Sequence, residues 1–212
     1  SINWAGDANP LLINDPRFSP AGVLAPKSRA DMAFIMHALS WLAASGTAAI
    51  VCYPGIFYRS GAEQKIRQYL VDNNFVDCVI QLPDNLFFGT SIATCIMVLK
   101  RGKRENTTLF INASREFVKV TNSNKLTDAN ISAILTAYTD RADVPYFARL
   151  VPNDEIAERS YNLSVSTYVD QEDKRQVVDI KVLNAEIDRI VQRSRELRTA
   201  IDAIIAEIEG TV

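Results

Sequence analysis

The chain is short of the residues that usually build a self-contained active site. Among 212 residues there are three cysteines and one histidine. Cys52, Cys78 and Cys95 sit inside apolar runs with no Cys-x-x-Cys spacing. They read as reduced, buried thiols of a cytoplasmic protein, not as a disulfide framework or a metal site. His37 falls in a helical pattern and reads as a satisfied structural histidine. No GxGxxG, GxxxxGK(S/T) or GxSxG occurs, so the phosphate-cradling loops and the hydrolase elbow have no counterpart in the sequence. No signal-peptide pattern and no apolar run of roughly 18 residues or more is present, so no membrane span is expected. An excess of positive charge is missing too. Lys and Arg number 23 against 25 Asp and Glu, a net charge of −2. Any DNA contact must then be local or shared with another subunit.

What is present is ordinary globular composition, 48% hydrophobic and 23% charged, enough for one substantial core and an appendage. Residues 1–27 hold four prolines and two glycines and show neither helical nor strand period. Trp4, Leu11, Leu12, Ile13 and Phe18 argue for an ordered, packed arm. Ser28-Arg-Ala-Asp31 and Ser60-Gly-Ala-Glu63 have capping-box spacing and predict two helix starts. In the first helix Phe34, Ala38, Trp41 and Leu42 share a face. In the second, which runs to about Asn73, Ile66, Tyr69 and Leu70 do. TAAIVCY (47–53) and VDCVIQL (76–82) read as strands buried on both faces. ATCIMVLK (93–100) and TTLFINA (107–113) read as further strands, and residues 128–139 as a helix after Thr127. Helix and strand alternate as in an α/β sheet with covering helices. The link 83–92 carries no helical pattern, so the strands on either side of it are expected to form an antiparallel hairpin. Asp72 and Asp77 flank an element and read as solvated. The segment 141–182 has no clear period.

Two features stand apart. The hairpin link holds Phe87, Phe88 and Gly89, two large rings at a bend where polar residues are the norm. Near the C-terminus Leu183, Ile187, Ile190, Ser194, Leu197, Ile201, Ile204 and Ile208 alternate spacings of four and three. This heptad seam predicts one long helix whose narrow apolar stripe needs a partner helix; packing on its own domain is the alternative.

Five stretches, SINWAG, INDPRFSPAGVLAPKSRADMAFIMHAL, AAIVCYPGIFYRSGAEQKIRQYLVDNN, VIQLPDNLFFGTSIATCIMVLKR and YNLSVSTYV, occur in that order. Across nearly the whole chain they resemble the modification (methyltransferase) subunit of type I restriction-modification systems, a family of adenine-N6 DNA methyltransferases. The resemblance implies an α/β fold: the C-terminal half of an S-adenosylmethionine-dependent methyltransferase sheet, with its last strands in an antiparallel hairpin, plus a long C-terminal helix. It divides the chain into an arm (1–27), the second half of the catalytic domain (28–170), and a linker with a docking helix (171–212). It implies S-adenosylmethionine as cofactor, double-stranded DNA as substrate, and a specificity subunit, a second modification subunit and a restriction (motor) subunit as partners.

The family's glycine-rich cofactor loop and its Asn/Asp-Pro-Pro-Tyr/Phe motif are not in this sequence. No catalytic or cofactor-binding residue is therefore expected in the chain, and the resemblance places Ser1 just after the missing motif. In such enzymes the target adenine leaves the duplex. The resemblance gives Phe87 the position that stacks on the extruded base, with Phe88 beside it and Gly89 allowing close backbone approach; anchoring of both rings in the core is the alternative. Asn3, Trp4 and Lys27 are candidates for the DNA side of the pocket, with packing as the alternative for Trp4. Lys100, Arg101, Lys103 and Arg104 form a basic turn that reads as a phosphate contact or as a solvated turn. Arg59 follows a strand's C-terminal end, where open α/β sheets bind ligands. Leu183, Ile187, Ile190, Leu197, Ile201, Ile204 and Ile208 are assigned to docking on the specificity subunit.

Overall fold

The computed structural model describes Trp4, residues 9–171 and residues 180–210. These belong to two compact units, 1–171 and 172–212.

In the first unit the arm makes two 3-10 turns, Pro10–Asn14 and Ser19–Ala21, and packs Trp4, Phe18 and Val23 against the core. Helix α1 (Asp31–Trp41) leads into strand β1 (Thr47–Cys52), and α2 (Ala62–Asp72) leads into β2 (Val76–Gln81). Then come β3 (Cys95–Lys100), β4 (Thr107–Asn112), a two-stranded ribbon of β5 (Val118–Val120) and β6 (Ser123–Lys125), α3 (Asp128–Asp140), β7 (Ala148–Pro152) and α4 (Asn153–Glu158). The main sheet has the order β1-β3-β2-β4-β7. β3 lies antiparallel to both β1 and β2, β4 is parallel to β2, and β7 closes the far edge antiparallel to β4. The 83–92 link thus does join an antiparallel hairpin, and the strand and helix positions expected from the sequence hold to within two residues.

Each face of the sheet has its own core. Met32, Ile35 and Leu39 of α1 and Ile66 and Leu70 of α2 cover Val79, Met97, Leu99 and Phe110. Ile134 and Ala137 of α3 cover Cys78, Val98, Leu109 and Ile111 on the other face. Each such side chain contributes roughly 1.5–3 kcal/mol by leaving water. The three cysteines are buried and free, as expected.

Several expectations fail for identifiable reasons. Neither capping box forms. Ala30 precedes α1 without a side-chain cap, because Pro26–Arg29 makes its own turn (Arg29 N to Pro26 O, 2.9 Å). Gly61 precedes α2 at φ 77°, and Glu63 is drawn into ion pairs instead. The buried face of α1 is Met32, Ala33, Ile35, Met36 and Leu39, while Phe34 and Trp41 point to solvent. DMAFIMHALSW is apolar almost all round, so its period does not choose a face. β1 is an edge strand and alternates between half-buried and exposed residues instead of being covered on both sides. Asp77 is not solvated. It is the extra residue of a β-bulge opposite β3, and its buried carboxylate accepts from Tyr138 Oη (2.7 Å) and Arg141 Nη1 (3.1 Å). His37 packs between Phe18 and Trp41, but its buried Nδ1 has no hydrogen-bond partner, so the ring is structural without being satisfied. Thr127 does cap α3, exchanging bonds with Asn130 (3.0 and 3.3 Å).

In the second unit α5 (Ile180–Ile208) is one continuous helix with no buried residue. All seven docking candidates are exposed along it, from Leu183 to Ile208. No described helix is long and apolar enough to cross a membrane.

Candidate nucleic-acid interface

Strand register sorts the candidate residues between two ends of the sheet. Cys52 faces Cys95, and Gln81 also faces Cys95. Chain leaving β1 and β2 and chain entering β3 therefore meet at one end, here the exit end. Thr47 faces Lys100 and Val76 faces Leu99, which sets the basic turn at the opposite, entry end. Six residues of strand separate the two, about 20 Å. Phe87 and the basic turn do not share a site.

At the exit end the loop 83–94 is closed at its base by Leu82 N donating to Thr94 O (2.9 Å). Leu86 turns inward onto the α3-side core. The small ribbon braces the loop from below: Asn124 Nδ2 donates to Asp84 O (2.9 Å) and Asp84 Oδ1 (2.8 Å), and Asn124 N donates to Asn85 O (2.9 Å). With the stem held, Phe87 is 45% exposed and Phe88 is wholly exposed. Neither ring anchors the loop in the core. Gly89 adopts φ +79°, and nothing lies within 4 Å of where its Cβ would be. What it supplies is the left-handed turn that lets the chain double back after the two rings.

A charge cluster lies in the segment that follows β1, which leaves the sheet at the same end. Glu63, in the first turn of α2, is 1% exposed. Its Oε2 accepts from Arg29 Nη1 (3.2 Å), and its Oε1, which has no hydrogen-bond partner, forms an ion pair with Arg59 Nη1 at 3.5 Å. The Arg59 guanidinium lies against Gly55, where a Cβ would fall 2.4 Å from Nη2. One turn further along α2, Arg67 is also 1% exposed and donates to the carbonyls of Ile56 and Tyr161, each at 2.8 Å. Burial lowers the Arg67 guanidinium to about 10, with Glu63 opposing the shift. Sequence reasoning reached Arg59 as a ligand candidate and Glu63 only as a capping residue; Arg29 and Arg67 carry no local signal for this cluster. Asn124 was missed for the same reason, since a polar turn residue does not advertise the distant loop it supports.

The other candidates are mostly engaged by the fold. Trp4 Nε1 donates to Ala25 O and Pro26 O, both at 3.1 Å, and its ring meets Phe18 edge-on at 5.3 Å. Its position fits the packing alternative, while Lys27 next to that contact is exposed. Asn3 and Ser1 lie outside the described residues. In the basic turn Lys103 Nζ donates to the carbonyls of Val76 (2.6 Å) and Thr107 (2.5 Å), and burial lowers its ammonium to about 8. Arg101 lies over the Phe75 ring at 6.0 Å. Lys100 is half-buried and Arg104 exposed. On α5 the apolar stripe is interrupted at Ser194, where Arg189, Arg193 and Arg198 flank it. No group of three or more candidate metal ligands occurs among the described residues.

The profile of the N-6 DNA methylase family matches residues 1–177. The chain is 50% identical over 210 residues to the type I restriction enzyme MpnII methylase subunit of Mycoplasma pneumoniae, covering 99% of this chain and 39% of that protein. It is 33% identical over 191 residues to the MjaVII methylase subunit of Methanocaldococcus jannaschii, covering 87% and 32%. Among solved structures, the type I restriction-modification methyltransferase subunit from Streptococcus thermophilus superposes with a TM-score of 0.78 at 45% identity, covering 80% of this chain and 36% of that one. The chain thus spans under two fifths of these relatives' lengths. With the family model matching residues 1–177 and the first relative aligned over 99% of the sequence, the chain belongs to the N-6 DNA methylase family and is similar along its length to type I restriction enzyme methylase subunits.

Proposed function

We propose that the chain serves a DNA adenine-N6 methyltransferase by stacking Phe87 on the extruded target base and by docking α5 on a specificity subunit. The observation that carries the first part is a half-exposed ring on a loop whose stem is held by Asn124, at the end of the sheet where β1 and β2 finish. Stacking of a base on an aromatic ring contributes about 1–3 kcal/mol and helps offset an unstacking cost of a few kcal/mol. S-adenosylmethionine is the methyl donor of this reading. The described exit end offers rings and two arginines held on one carboxylate, not the glycine-rich acidic cradle that holds this cofactor, so no cofactor contact is assigned to these residues. Double-stranded DNA, a second modification subunit and a restriction subunit complete the partners. The isolated chain is expected to incorporate no methyl group from labelled S-adenosylmethionine into duplex DNA.

Phe87→Ala in the assembled enzyme tests the stacking role. The expected result is weaker binding or slower methylation by the equivalent of about 1–3 kcal/mol, with folding unchanged. Unchanged kinetics would leave the chain as an assembly module without base contact. That second reading draws on the exposed stripe of α5, whose arginine-flanked gap at Ser194 suits a partner helix with carboxylates beside its seam. Ile201→Asp with Ile204→Asp is expected to abolish co-purification of the subunits. Normal assembly of that variant would refute the docking role.

A further inference from the structure

We infer that Arg29 and Arg59, set by the buried Glu63 carboxylate, form a clamp for a phosphodiester of the DNA strand that carries the target base. This rests on the reading of the exit end as a nucleic-acid face. Glu63 engages one nitrogen of each guanidinium, whereas an arginine has five N–H donors in a fixed fork. The side chains stay 41% and 37% exposed, so neither guanidinium is sealed in the core. Gly55 leaves room for the Arg59 plane to lie flat on the backbone, which fixes its direction.

The charge balance points the same way. Three guanidiniums, Arg29, Arg59 and the buried Arg67, face one carboxylate; counting Asp31 in the first turn of α1, the group remains positive. Arg67 brings no carboxylate of its own and spends its donors on carbonyls. A structural brace needs one cation per carboxylate, and this one has an excess, with two guanidiniums partly exposed. Planar, bidentate donors are suited to a phosphate. Location completes the case: Arg59 follows β1, Phe87 precedes β3, and Cys52 faces Cys95, so both segments rise from the same end of neighbouring strands. A grip on the backbone beside the base would hold the strand while the base is out of the stack.

The test is the salt dependence of duplex binding by the assembled enzyme. Each phosphate contact contributes about −0.9 to the slope of log Kobs against log salt. Arg29→Gln with Arg59→Gln should flatten that slope by about 1. If this pair fails to fold, Arg59→Gln with Glu63→Gln removes a cation together with its buried counter-charge and leaves the net charge unchanged. A flatter slope in that folded variant reports a lost local contact, not a weaker overall field. Arg104→Gln at the entry end should leave the slope as it was. A folded exit-end variant with an unaltered slope, or an equal flattening by Arg104→Gln, overturns the clamp. Phe87→Ala changes affinity or rate without changing the slope, so failure of the stacking role and failure of the clamp give different results.

Discussion

At the entry end Lys103 reaches two backbone carbonyls, Arg141 meets the buried Asp77, and Arg101 covers Phe75. At the exit end Arg29 and Arg59 share a single carboxylate and stay partly exposed, at the same end of the sheet as two exposed phenylalanines. Four cations in five residues make the first cluster conspicuous in the sequence, whereas the second is scattered over four segments. Yet within the conspicuous one Lys103 is spent on closing the turn and Arg101 lies over a ring. What separates a structural cation from an available one is whether nearby carbonyls and carboxylates have already taken its donors.

The contrast can be broken most sharply at Lys103. Lys103→Met removes a donor from the Thr107 carbonyl and one of two side-chain donors from the Val76 carbonyl, which keeps Thr108 Oγ1 at 3.2 Å; it is expected to destabilise the fold by about 1–3 kcal/mol, read by urea unfolding, with no change in the salt slope of DNA binding. If stability held and the slope fell, the entry end would be the phosphate site. A second contrast is in pH. Burial lowers Lys103 from 10.5 to about 8. The folded chain releases that proton first, so stability gains as pH rises from about 8 towards 10.5. Burial raises Cys52 and Cys95 from 9.0 to about 12, so there the unfolded chain releases first and stability falls once pH passes 9. Denaturation series should show a gain between pH 8 and 9 followed by a decline, and Lys103→Met should remove the gain alone.

Glycines refine the comparison further. Gly102 has φ +69° and a Cβ there would sit 2.9 Å from Ala44 O, whereas Gly89 has φ +79° and open space. Gly89→Ala should cost about 1–2 kcal/mol of left-handed strain, and Gly102→Ala more, because backbone must also move. Equal losses in thermal unfolding would mean the basic turn is looser than its contacts imply. The smallest effect is expected at the exposed Arg104, where Gln should change stability by less than about 0.5 kcal/mol.

Much of the fold was legible. Continuous apolar runs marked β2, β3 and β4, and the ten-residue link marked the hairpin, because neither signal depends on distant residues. The seam of α5 was legible for the same reason. β7, α4 and the ribbon were not, since ARLVP and SNK are too short and polar to show a period. α1 misled because it is apolar all round, and Asp77 because a bulge is invisible before its partner strand is known. Of the candidate interface, the Phe-Phe bend could be read from composition alone. The Arg29–Glu63–Arg59 arrangement could not, because Arg29, 34 residues from Glu63, reaches the local Arg59–Glu63 pair only once α1 and α2 have packed on the same face.

The placement of β3 between β1 and β2 has a consequence for biosynthesis. β1 and β2 are not neighbours; each waits for β3 to supply the hydrogen bonds between them. A nascent chain halted before Cys95 therefore holds two unzipped apolar ribbons and cannot settle them by pairing locally. Emergence of Lys100 from the ribosome lets these three strands join together, and β4 and β7 then add in turn beyond β2.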